Sequence, residues 1–265
     1  MNEKAEITRE ETLKATEDFP YLRACLSDYL AWLFEKCDED RRKYDPVFMR
    51  ISNFQHNLGD LENALSEAGN ILGLSEIEFC QTFKFNTDRH KNEILKIGDL
   101  VVEPWVAIAL KNCGFRSIQK ITESSGRFSD FLGEYNKIRF AVEVKNARTD
   151  SDFHRWLVDN PSVIMSNYHP DGKETLQKER DFLESVVEQK LTIPQCDKIE
   201  EQLRNTAKKY DCQEKMLVLY LEATTLTFFP DQLISQLENA RKNYSFNNYL
   251  ACCTNRELFC SPQLT

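Results

Sequence analysis

At 265 residues the chain is long enough for one large domain or two small ones. Charged residues are 29% and hydrophobic residues 41% of it, and no apolar run approaches the ~20 residues that cross a bilayer, so a soluble protein with no membrane partner is expected. The formal charge of −9 argues against a protein that coats nucleic acid through charge alone and leaves any such binding to local basic strips.

The first 14 residues, MNEKAEITREETLK, are polar and do not read as a signal peptide. Residues 1–96 read as a helical accessory region. Leu22, Leu26, Leu30 and Leu33 make an apolar stripe at helical spacing within residues 21–37. Residues 38–43 (DEDRRK) are a charge run of the kind found at a solvated helix end. Two further helices are expected at 58–72 and 75–85, separated by Gly73. This region could present a surface to a protein partner; equally, its aromatics Trp32, Phe34, Phe48 and Phe54 could form core.

Residues 100–112 predict a helix with Pro104 in its first turn. Cys113, Gly114 and Phe115 end it, and residues 115–123 predict a strand. Residues 127–133 read as a second strand and the Gly-Glu-Tyr-Asn segment as a connection. Over 138–144, Ile138, Phe140, Val142 and Val144 alternate with Arg139, Ala141, Glu143 and Lys145, so one face of this third strand is expected to be buried. A long insertion at about 146–195 carries two helical stretches, 150–160 and 172–190. In it, His154, Arg155 and Trp156 could contact a nucleotide, or Phe153, Trp156 and Leu157 could form a buried face. Residues 197–210 predict a helix, 216–222 a buried strand, and Pro230 with Asp231 opens a last helix to about Lys242.

The chemistry concentrates in the hairpin. Phe128, Asp130 and Leu132 share one face of the first hairpin strand, and Glu143 and Lys145 share one face of the second. The turn can therefore bring two carboxylates and an ammonium together. Two adjacent carboxylates raise one another's pKa unless a cation separates them. Oxygen-only ligation favours Mg²⁺ or Mn²⁺ over zinc. A cation so held would activate water against a phosphodiester, with Lys145 steadying the developing charge. A plain cross-strand ion pair is the alternative reading of the same residues.

Asp130-Phe131-Leu132, a turn, then Phe140-Ala141-Val142-Glu143-Val144-Lys145 resembles the PD-(D/E)xK nuclease superfamily, the restriction-endonuclease-like fold. That core runs helix, three strands, helix, strand, and the resemblance covers about residues 100–242 outside the insertion. It implies an α/β (α+β) protein with a mixed central sheet flanked by helices over residues 97–265, behind the N-terminal helical region. It also implies Asp130, Glu143 and Val144 as ligands of Mg²⁺ or Mn²⁺ and Lys145 as the catalytic lysine. Glu103 on the first helix would hold or orient the metal, and Gln202 on the helix after the lysine strand would lie near the site. Ser129 stands where the family motif often has proline.

The substrate implied is nucleic acid, DNA ahead of RNA, cut to leave 5′-phosphate ends. Nucleases that cut both strands often pair two sites through a dimer, so a homodimer is one expected arrangement. Basic strips for binding are available at Lys137, Arg139, Lys145 and Arg148, and at Arg204, Lys208 and Lys209. The alternative function is a non-catalytic protein-interaction module on the same scaffold. The nine cysteines have no CxxC pair and no Cys/His metal spacing, which points to free thiols in a reducing cytoplasm and away from zinc. No phosphate-cradling glycine loop is present.

Overall fold

The structure is a computed structural model that describes residues 17–25, 35, 57–83, 97–122, 127–147, 193–221, 230–244, 246–253 and 256–260. The charge run at 38–43, the aromatics Trp32, Phe34, Phe48 and Phe54, and the insertion helices with His154, Arg155 and Trp156 lie outside the described residues, as does most of 21–37. By compactness the chain divides into Met1–Ile108 and Ala109–Thr265.

In the first unit a helical piece at 20–25 accompanies α1 (Asn57–Leu72) and α2 (Glu76–Thr82). Helix starts leave backbone N–H groups without partners, and buried Glu62 supplies them here: its two carboxylate oxygens accept from the N–H of Tyr21 at 3.0 Å and of Leu22 at 2.8 Å. Ser75 opens α2 with a capping box closed by Glu78. Tyr21, Leu22, Leu65, Ala68, Phe79 and Phe83 form the buried interior. Gly69 is required there, because a Cβ would fall 2.4 Å from the Tyr21 hydroxyl oxygen.

Helix α3 spans Ile97–Asn112. It starts three residues earlier than the sequence predicts, so Pro104 sits inside it, not in its first turn. Interior proline removes one helical hydrogen bond, but residues 104–110 are buried without interruption, and that burial outweighs the local cost. The end is a Schellman turn: Gly114 has φ +91°, and the Phe115 N–H donates to the Leu110 carbonyl at 3.0 Å.

The second unit is built on a six-stranded mixed sheet in chain order, β1 (Arg116–Lys120), β2 (Phe131–Tyr135), β3 (Ile138–Ala147), β4 (Glu214–Leu221), β5 (Asn248–Cys253) and β6 (Arg256–Cys260). The strands β1, β2 and β3 form an antiparallel meander. The β3–β4 and β4–β5 pairs are parallel and β6 returns antiparallel. Parallel neighbours need crossovers, supplied by α4 (Ile193–Tyr210) and α5 (Pro230–Asn243). The protein is thus mixed α/β, as expected. Strands β5 and β6 were not foreseen.

Two local expectations are corrected. The β2–β3 connection is not Gly-Glu-Tyr-Asn: the strand runs on to Tyr135, and the turn is Asn136 and Lys137, with φ +51° and +66°. Two consecutive left-handed residues make a type I′ turn, whose twist suits a two-residue hairpin. Gly133 lies within the strand, paired with Phe140, where a Cβ would meet the Phe115 ring at 2.9 Å. Second, β3 is buried on both faces at its centre, Phe140 to Glu143, not on one. Ile199 and Leu203 of α4, with Leu237 and Ala240 of α5, cover the face bearing Ala141, Leu217, Leu219, Tyr249 and Ala251. Glu143 belongs to that same face.

Cys25, Cys196 and Cys252 are buried and form no disulfide among the described residues. Among the described residues no helix is long and apolar enough to cross a membrane.

Candidate metal centre

Asp130 is fixed by backbone bonds to both neighbouring strands. Its N–H donates to the Val142 carbonyl at 3.0 Å, and its carbonyl accepts from the Ile121 N–H at 2.9 Å. It lies one residue before the ladder pair Phe131↔Val142, so Asp130 and Phe131 both face Val142, and its charge acts on Glu143 next along β3. Its side chain is held twice: Oδ2 accepts from the Val144 N–H at 2.8 Å and Oδ1 from the Lys120 ammonium at 3.3 Å.

Glu143 is only 1% exposed and sits beside Leu217 of β4 in the parallel ladder. Its Oε1 accepts from the Lys145 ammonium at 2.5 Å, whereas Oε2 is buried with no hydrogen-bond partner among the described residues. Burial pushes the Glu143 carboxyl up from 4.5 to about 8; the negative charge of Asp130 adds to this, and Lys145 and Lys120 oppose it. Two carboxyl groups and two ammonium groups thus share one end of β1, β2 and β3. A buried carboxylate oxygen without a partner is costly, and a cation between Glu143 and Asp130 would satisfy it.

Helix α4 locks the segment leading into this site. Its apolar stripe of Cys196, Ile199 and Leu203 is buried. Next to that stripe, Gln202 and Thr206, four residues apart, share a helix face. Thr206 Oγ1 accepts from the Ser129 N–H at 2.8 Å, Gln202 Nε2 donates to the Phe128 carbonyl at 3.4 Å, and Asn205 Nδ2 donates to the Arg127 carbonyl at 3.2 Å. Gln202 Oε1 and Ser129 Oγ are buried there with no partner among the described residues.

The structure therefore brings Asp130, Glu143, Val144 and Lys145 together. Val144 enters through its N–H, which orients Asp130. Gln202 acts on the backbone just before Asp130. Glu103 is half-buried on α3, on the Met1–Ile108 side of the division. The sequence reading missed Lys120, Thr206 and Asn205. Lys120 becomes visible only through the register Lys120↔Phe131, which places its ammonium beside Asp130 and 5.0 Å from the Phe131 ring centroid.

Among the described residues no group of three or more His, Cys, Asp or Glu side chains could hold a metal ion. The site offers two carboxylates, which suits Mg²⁺ because that ion keeps several waters and takes one or two protein carboxylates. No protein-family model, curated protein or solved structure matches the chain.

Proposed function

We propose that the chain is a Mg²⁺- or Mn²⁺-dependent nuclease that hydrolyses phosphodiester bonds, in DNA ahead of RNA, on a restriction-endonuclease-like core. The observation that carries this reading is the buried Oε2 of Glu143, without a hydrogen-bond partner among the described residues, near Asp130 and beside Lys145. The order α3, three antiparallel strands, α4 and a parallel fourth strand also supports it, because the family core has that order.

Asp130 and Glu143 are the groups that would hold the ion. Once bound, a divalent ion supplies Lewis acidity and lowers the pKa of coordinated water. The chain's own residues do the rest. Val144 N–H fixes one oxygen of the Asp130 carboxylate before any ligand arrives, while the Lys120 ammonium lies 3.3 Å from the other and would have to yield to a cation. Lys145, 21% exposed, reaches from buried Glu143 towards solvent, where its ammonium can stabilise negative charge growing on a phosphate oxygen. Helix α4 holds the backbone of 127–129 against drift, and such positioning is itself a large part of catalysis.

The test is cleavage of plasmid, linear duplex and single-stranded DNA and of RNA with Mg²⁺ or Mn²⁺, with Asp130→Ala and Lys145→Ala alongside. Metal-dependent cutting lost in both variants supports the nuclease. Absence of both cutting and Mn²⁺ binding in folded protein supports the interaction module, for which Lys120 and Lys145 already pair with the two carboxyl groups.

A further inference from the structure

Beside the metal centre lies a cluster that the nuclease reading leaves without a role. The rings of Phe128 and Tyr210 meet edge to face, centroids 6.5 Å apart at 77°. The Lys209 ammonium lies 4.6 Å from the Phe128 centroid and 5.3 Å from that of Tyr210. Both rings are only half-buried, whereas Phe115, Phe131 and Phe246 are fully buried.

The surrounding charge is segregated. The first half of α4 carries Asp197, Glu200 and Glu201 with Lys198 among them, and its second half carries only cations, Arg204, Lys208 and Lys209, before Asp211 follows the helix. Arg127 joins these from the facing segment, and all four cations are exposed in a chain of net charge −9. Cations at a helix C-terminus stabilise the helix dipole, which accounts for Lys208 and Lys209. It accounts neither for Arg127 nor for two half-exposed rings beneath an ammonium.

The cluster is rigidly tied to the metal centre. Phe128 precedes Asp130 by two residues, a reach of at most ~7 Å along the chain, and its carbonyl is held by Gln202 at 3.4 Å. Aromatic faces bordered by cations bind unpaired nucleotides, because bases stack on the rings while phosphates meet the charges. Bases inside a duplex offer no free face for this.

Resting on the nuclease reading, we infer that Phe128, Tyr210 and Lys209 form a stacking platform for an unpaired nucleotide next to the scissile phosphodiester. The preferred substrate class is then single-stranded or frayed nucleic acid, with Arg127, Arg204 and Lys208 on the adjoining phosphates.

Binding is measured in EDTA by fluorescence anisotropy, with labelled single-stranded DNA, single-stranded RNA and blunt duplex DNA of equal length. The wild type should favour the single strands, and the DNA and RNA arms identify the source. Phe128→Leu should weaken single-strand binding about 5- to 100-fold, and Phe128→Trp should retain it. Lys208→Gln should lower the log–log salt slope by about 0.7, and Lys209→Gln should weaken single-strand binding. Urea unfolding of each variant accompanies the titrations; should Phe128→Leu fail to fold, Tyr210→Leu and Lys209→Gln decide. Duplex bound as tightly as single strand, or variants that bind like wild type, would overturn the platform. Because no cutting is needed, its failure is separate from that of the nuclease: platform-dependent binding without metal-dependent cleavage sinks only the latter, and cleavage indifferent to Phe128 sinks only the former.

Discussion

Replacing Glu143 with Gln should make the metal-free protein more resistant to alkaline pH while abolishing its response to divalent ions. The carboxyl is buried to 1% exposure, with one oxygen on Lys145 and the other without a partner. Burial raises its pKa from 4.5 to about 8. A group whose folded pKa is raised contributes stability that is complete below the unfolded value and is lost as pH climbs through the folded value. The wild type in EDTA should therefore lose stability relative to Glu143→Gln as pH rises from 4.5 to about 8. At ~1.4 kcal/mol per pH unit the differential is at most about 5 kcal/mol across that window. Against this stands a constant penalty of about 1–3 kcal/mol for an imperfectly satisfied buried amide, so the two stability curves should converge towards the alkaline end.

Divalent ions reverse the order. An ion at a hundred times its Kd stabilises the wild type by about 2.7 kcal/mol and leaves Glu143→Gln unchanged. Ion binding displaces a proton from the site, so affinity should rise with pH up to about 8. The assay is urea unfolding at several pH values, in EDTA and in Mn²⁺. A stability difference between wild type and variant that stays flat with pH refutes the buried-carboxyl argument; equal stabilisation of both proteins by Mn²⁺ refutes Glu143 as a ligand.

Three further outcomes are expected. Lys120→Gln should tighten Mn²⁺ binding by up to about tenfold in calorimetry, because the ammonium 3.3 Å from Asp130 competes with an incoming cation; weaker binding would show instead that Lys120 holds the ligand in place. Thr206→Val should cost about 1–3 kcal/mol in urea unfolding, since it strands the Ser129 N–H now bonded at 2.8 Å in a buried position; a loss under about 0.5 kcal/mol would mean α4 does not clamp that segment. Lys137→Gly should raise stability by about 0.4–1 kcal/mol in thermal unfolding, since φ is +66° at a type I′ position, and a destabilised variant would contradict the turn assignment.

Much of the fold was legible wherever local pattern and local physics agree. The apolar alternation of Ile138 to Val144 marked β3, the amphipathic run ending at Tyr210 marked α4, and Gly114 marked the end of α3. Boundaries failed where a tertiary partner intervened: burial carried α3 through Pro104, and the Asn136–Lys137 turn let β2 run past Gly133. The apolar run at 249–252 was too short to distinguish a strand from a coil by periodicity, and it became β5 through its pairing with β4.

For the site, sequence alone determined that Glu143 and Lys145 share a strand face, because a strand's side-chain period is two. It also placed Asp130 across a hairpin from them. Only the tertiary structure decided that this face is buried, because its cover comes from Ile199 and Leu203, more than fifty residues along the chain. Burial is what leaves Glu143 Oε2 unsatisfied and raises its pKa. Lys120 beside Asp130 and Thr206 beneath Ser129 likewise depend on strand register and helix docking, which are set by contacts between distant residues and leave no signal in any local window of the sequence.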